Sequence, residues 1–204
     1  MDVPSTIDFS RVEDAQAWAD AANVKRPWRA DFFAAIAHEL VSLGVPSASV
    51  LELGSGPGFL AERVLQALPD VTYTLLDSSA AMQELARVRV GRGVGVQFVG
   101  ADFKRDGWAD GLGSFDAVAT MQAVHELRHK RHAVALHQAV GGLLRSGSIY
   151  LVCDHIAGPG GMADHELYMT VSEQADALAC ARFGDVSVVL EKDGLVLHRG
   201  RKAA

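Results

Sequence analysis

Residues 51–59 read LELGSGPGF, and this stretch constrains the fold more than any other. It is preceded by ASVLEL (48–53), a short apolar run of strand length, and followed by FLAERVLQAL (59–68), where Leu60, Val64, Leu65 and Leu68 recur at helical spacing. Gly54, Gly56 and Gly58 let the chain turn sharply between the two elements and let a ligand approach the backbone closely. A strand that enters a helix through a glycine turn is one arm of a parallel sheet. In open sheets of this kind ligands bind outside the carboxyl ends of the strands.

The same alternation continues. VTYTLLD (71–77), VGVQFVGAD (94–102), SFDAVATM (114–121) and SIYLVCD (148–154) read as strands. SSAAMQELARVRV (78–90), with Ser78 or Ser79 as its cap, reads as a helix, as does a stretch that turns Ala133, Leu136, Val140, Leu143 and Leu144 to one face. A further helix is predicted near 164–182, after the loop GPGG (158–161). DVSVVLEKDGLVLHRGR closes the chain as two strands around Asp193-Gly194. The expected architecture is α/β: a doubly wound, seven-stranded, mostly parallel sheet with an antiparallel C-terminal hairpin. Residues 1–45 stand outside the alternation. They predict two capping helices, at 12–22 and 28–43, on a single domain of residues 1–204 whose α/β core is 46–204.

Composition narrows the function. The net charge is -6 with both signs interspersed, so no basic patch suggests nucleic acid. The acidic start MDVPSTIDFSRVEDAQ has no apolar core of a signal peptide, and no apolar run approaches the roughly 20 residues of a membrane span. Cys153 and Cys180 are too few for a disulfide framework, which fits a cytoplasmic location.

Asp77 ends the strand after the glycine turn, about 20 residues on, where a carboxylate suits the paired hydroxyls of a ribose. Pro57 disfavours a dinucleotide, because phosphate held at a helix N-terminus needs the backbone N–H that proline lacks. In order, ELGSGPGF, LLDSS, GADF and FDAVATMQAVHEL resemble the motifs of class I S-adenosylmethionine-dependent methyltransferases, over about residues 48–154. The resemblance implies the Rossmann-like methyltransferase fold, S-adenosyl-L-methionine as cofactor, and a small-molecule acceptor, with no nucleic acid or membrane partner, in a monomer or homodimer. It places Glu52, Gly54, Ser55, Gly56 and Gly58 along the methionine and ribose part of the cofactor. It puts Asp77 on the ribose hydroxyls and Ser78 and Met82 near the adenine. Asp102 would accept from the adenine amino group with Phe103 beside the ring, and Met121 and Gln122 would lie near the sulfonium. LLRSGS (143–148) departs from the family's usual Leu-Lys-Pro-Gly-Gly at a structural turn.

HELRH (125–129) spells H-E-x-x-H, which on a helix would set His125 and His129 on one face to hold zinc, with Glu126 as base. Here the string falls in the loop after the fourth strand, ahead of the regular helix, so that geometry is not expected. A mixed site of His125, Glu126, Asp154 and His155 is open to a metal, but acid–base work suits it better. His125 is the candidate base, and Glu126, Asp154 and His155 are candidates to orient it or to hold the acceptor, with His165 and Tyr168 within reach. His132, His137 and His198 are expected to face solvent. Trp18, Trp28, Phe32 and Phe33 are expected to pack the N-terminal helices, with Arg26 and Arg29 as surface charge. Two other functions stay open: a cofactor-binding protein that transfers nothing, and a metal-dependent hydrolase using His125, Glu126 and His129.

Overall fold

A computed structural model describes residues 2–91 and 93–203. The strands β1 (Ser49–Leu53), β2 (Thr72–Asp77), β3 (Val96–Gly100), β4 (Phe115–Met121), β5 (Leu144–His155), β6 (Phe183–Lys192) and β7 (Leu195–Lys202) form one mixed seven-stranded sheet in the order β3-β2-β1-β4-β5-β7-β6. Contacts divide the chain into two compact units, Thr6–Asp102 and Phe103–Ala204 with Met1–Ser5.

The first unit begins with α1 (Val12–Lys25) and α2 (Arg29–Val41). Pro27 separates them by barring helical geometry at the residue before it, and Arg26 accordingly leaves the helix at φ -135°, ψ 68°. Glu13 and Asp14 in the first turn of α1 and Lys25 in its last match the helix dipole. Ala15, Ala19 and Ala22 give α1 a small-residue stripe on which it can lie close, and it packs on α4 (Ala80–Val90), while α2 packs on α3 (Phe59–Ala67). β1 (Ser49–Leu53), β2 (Thr72–Asp77) and β3 (Val96–Gly100) pair in parallel. β1 and β2 are buried almost throughout, which is why both are rich in apolar residues, with Glu52 and Thr74 as buried polar exceptions. Gly58 starts α3 in the left-handed region at φ 79°, and a Cβ there would meet Ala86 of α4 at 3.2 Å. Glycine is required at this position on both counts.

The second unit holds β4 (Phe115–Met121), two short 3-10 turns (Val124–Leu127 and Lys130–His132), α5 (Ala133–Leu143), β5 (Leu144–His155), α6 (Val171–Cys180), β6 (Phe183–Lys192) and β7 (Leu195–Lys202). β4 and β5 are parallel, and β7 runs antiparallel to both β5 and β6. Asp193 and Gly194 both have positive φ, 47° and 76°, as a two-residue hairpin turn of matching twist requires.

Three expectations are corrected. The helix predicted near 164–182 starts only at Val171, because Thr170 and Glu173 form a reciprocal capping box there. His137 and His198 do not face solvent: they are 1% and 0% exposed. Burial drives His137 down to about 4 and lowers His198 as well, so both rings favour the neutral form, and His137 packs against the Tyr150 ring at 5.5 Å. His137 lies one residue past Leu136 and three before Val140, inside the apolar stripe of α5, and meets the Tyr150 hydroxyl at 3.2 Å. Arg29 is not surface charge either. It is 4% exposed, donates to Asn23 at 2.8 Å, and lies against the rings of Trp18, Phe33 and Phe59 at 5.2 to 5.5 Å.

Candidate active site

In the Thr6–Asp102 unit the glycine turn is tied to the end of β2 by one carboxylate. Asp77 Oδ2 accepts the Gly56 N–H at 2.8 Å, and Oδ1 accepts the Ser79 N–H at 2.8 Å. Ser55 N–H donates to Leu76 O at 3.1 Å. Asp77 therefore shapes the turn whatever else it binds. Ser79, not Ser78, caps α4: its hydroxyl accepts the Met82 N–H at 3.0 Å and donates to Phe9 O. Ser78 is exposed and Met82 is buried. Asp102 and Phe103, half-exposed, follow β3.

Glu52 is 2% exposed and accepts from the Tyr73 hydroxyl at 2.9 Å. Burial pushes its carboxyl up, the Tyr73 hydrogen bond opposes that, and Asp77 adds to the rise, leaving it at about 8. At neutral pH this side chain is uncharged.

The Ser55 hydroxyl has no hydrogen-bond partner among the described residues, although Ser55 is only 5% exposed. A buried polar atom without a partner is costly. A Cβ on Gly56 would meet nothing within 4 Å. The turn thus offers an orphaned hydroxyl and an open glycine beside the Asp77 carboxylate. These suit a ligand that is rich in hydroxyl and amino groups, as S-adenosylmethionine is.

In the other unit, β4 and β5 end side by side and gather a polar cluster. Asp154, 4% exposed, accepts from the His125 backbone N–H through Oδ2 at 2.8 Å and from Nδ1 of the His125 ring through Oδ1 at 2.7 Å. Oδ1 also accepts the His155 N–H at 2.7 Å. Glu126 Oε1 lies 3.4 Å from His125 Nε2. Both ring nitrogens of His125 thus face carboxylates, an arrangement that only the doubly protonated ring satisfies. Burial alone would lower His125, but the charge and hydrogen bond of Asp154, helped by Glu126, push it up to about 10. Burial works to raise Asp154 and Glu126, and His125 overcomes it in both, holding each below its ordinary value. The rings of His155 and Tyr168 each lie 5.4 Å from that of His125. His165 is exposed.

Met121 is buried at the end of β4. Gln122 follows with φ 58°, a strained conformation for a residue with a side chain. Its Nε2 is 2.9 Å from His155 Nε2, and its Oε1 is buried without a partner among the described residues. Turning the amide over merely exchanges which atom is orphaned.

His125 and His129 do not share a helical face. A left-handed Arg128, at φ 65°, breaks the chain between them. His129 instead pairs with Glu166 at 2.9 Å. Among the described residues no group of His, Cys, Asp and Glu is disposed to hold a metal ion. A cleft of about 500 Å³ lies elsewhere in this unit, lined by Ile156, Thr170, Val171, Ser187, Val188 and His198, and none of the His125 cluster lines it. No helix of the described residues is long and apolar enough to cross a membrane.

Residues 50–147 match the family described as Methyltransferase domain. No curated protein matches the chain. Many solved structures share the fold. An O-methyltransferase family protein from Burkholderia thailandensis is 17% identical, with a TM-score of 0.75 over 96% of this chain and 62% of its own. Human N-acetylserotonin methyltransferase in complex with SAM is 16% identical, with a TM-score of 0.72 over 96% and 58%. Streptomyces venezuelae DesVI is 19% identical, with a TM-score of 0.64 over 91% and 98%. The chain spans roughly half to three-fifths of the length of most of these relatives. Residues 50–147 thus match a methyltransferase domain, and the solved structures, each 19% identical or less, share the fold.

Proposed function

We propose that the chain transfers the methyl group of S-adenosylmethionine to a small-molecule acceptor, and that His125 takes the proton the acceptor loses. The observation that carries this is the Asp154–His125 pair, which fixes one buried imidazole by its ring and by its backbone.

When bound, S-adenosylmethionine would supply an electrophilic methyl group for the acceptor's lone pair, with S-adenosylhomocysteine as the leaving group. Glu52, Gly54, Ser55, Gly56, Gly58, Asp77, Ser78, Met82, Asp102, Phe103, Met121 and Gln122 would hold it. The Ser55 hydroxyl and the Gln122 amide bring hydrogen-bonding atoms not satisfied within the described chain. Asp154 occupies His125 Nδ1, so Nε2 is the nitrogen that exchanges a proton. With two carboxylates beside it the ring rests as the imidazolium. It must shed that proton before it acts as a base. Glu126, 30% exposed, and His155, which meets the Gln122 amide, would hold the acceptor. A small acceptor accords with the solved structures, among them one named for N-acetylserotonin.

The test is to incubate the purified chain with methyl-labelled S-adenosylmethionine and a panel of phenols, carboxylic acids, amines and thiols. S-adenosylhomocysteine formed with one chemical group, and lost in His125→Ala, supports the proposal. Cofactor binding without turnover across the panel would make the chain a binding protein instead.

A further inference from the structure

The loop after β4 contains one side chain that methyl transfer leaves without a role. Arg128 is held in a left-handed conformation, and its side chain is only 16% exposed. It reaches in three directions. Nε donates to Val3 O at 2.9 Å, Nη2 donates to Pro4 O at 2.7 Å, and Nη1 lies 3.3 Å from Glu126 Oε2. The Arg128 carbonyl accepts the Val3 N–H at 2.8 Å, so residues 3–4 lie along it as a paired strap. Arg131 and His132 both meet Asp2, extending the same attachment. The other Glu126 oxygen is the one that faces His125 Nε2.

We propose that Arg128 is a positioning residue which, anchored by Val3 and Pro4, holds the Glu126 carboxylate against Nε2 of His125. A guanidinium is suited to this because its donors are fixed in a plane, so two of them seated on carbonyls aim the third. A lysine carries the same charge but no such fork. The charged and titratable groups around His125 are Asp154 on its Nδ1 side, Glu126 on its Nε2 side with Arg128 behind it, and the rings of His155 and Tyr168. Of these, Glu126 is the most exposed member of the Asp154–His125–Glu126–Arg128 line, and the one that needs to be held. The inference deepens the proposed role of His125 and rests on it, but the tether itself can be tested without turnover.

The experiment is an NMR titration of the His125 ring in the full chain, its signal identified by its loss in His125→Gln. Glu126→Gln removes one of the two carboxylates and lowers the midpoint of His125. Arg128→Lys keeps the positive charge and frees Glu126, so it should lower the midpoint by about half of that shift or more. Added to Glu126→Gln it should do nothing further, because the pair acts through one contact. An unchanged midpoint in Arg128→Lys overturns the proposal, as does an equal shift in the Glu126→Gln background. If Arg128→Lys does not fold, Val3→Pro removes one strap hydrogen bond, leaves the guanidinium intact, and must move the midpoint the same way. If the coupling is found but no acceptor turns over, the tether stands and the role of His125 falls.

Discussion

One carboxylate of Asp154 holds His125 twice, by the ring at 2.7 Å and by the backbone N–H at 2.8 Å. The two residues are 29 positions apart and meet because β4 and β5 are parallel neighbours with Met121 opposite Cys153. Asp154→Asn keeps the shape of the contact and removes its charge. The imidazole then loses its orientation and the charge that favours accepting a proton. Turnover should fall ~100-fold or more while cofactor affinity stays within about twofold, measured as kcat and as a separate cofactor titration. Equal losses in both would mean that Asp154 only supports the fold.

The pH dependence follows from the charge on His125. Its ring is pushed up to about 10, so the neutral form that accepts a proton is scarce at pH 7 and grows as pH rises. If His125 is the base, kcat/KM should climb about tenfold per pH unit between pH 6.5 and 9 and level only near the His125 value. A flat profile would indicate an acceptor that arrives already ionised.

Glu52 gives a stability prediction of known sign. Its folded value, about 8, lies above its ordinary one, chiefly through burial. The protonated form is the one the interior favours. Its contribution is complete below the ordinary carboxylate value and is lost as pH rises through about 8. Glu52→Gln mimics the protonated acid and does not titrate. Its melting temperature relative to wild type should therefore improve steadily from pH 5 to pH 8.5, as read by thermal unfolding. A difference independent of pH would show that Glu52 is charged in the folded protein.

Gly58→Ala places a methyl 3.2 Å from Ala86 and forces a side chain into the left-handed region. Chemical denaturation should show a loss of about 1–3 kcal/mol. Gly44→Ala is the control: it has a similar φ of 67° but nothing within 4 Å of the new methyl, so it should lose less.

The sheet was legible because its signals are local. ASVLEL, the glycine turn and the stripe of FLAERVLQAL lie within 21 residues of each other and need no distant partner. His125, Asp154 and His155 could be grouped because the strand alternation implies which strand ends are neighbours. Arg29 could not be placed, since its cage is built from Trp18, Phe33 and Phe59 on three separate helices, none within three residues of it. His198 and His137 were misread because a polar residue type hides how deeply the backbone carries it. Arg128 gave no signal at all: its carbonyl partner Val3 lies 125 residues away, and an arginine in a loop suggests only solvent.

The most direct measurement is calorimetric titration of the full chain with S-adenosylhomocysteine, the demethylated cofactor, alongside Asp77→Ala. The account predicts one site in the wild type and at least a tenfold weaker Kd in the variant, about 1.4 kcal/mol, with the variant still folded by thermal unfolding. No binding to the wild type, or an equal Kd in a folded Asp77→Ala, would contradict the assignment of the glycine turn and Asp77 to this cofactor.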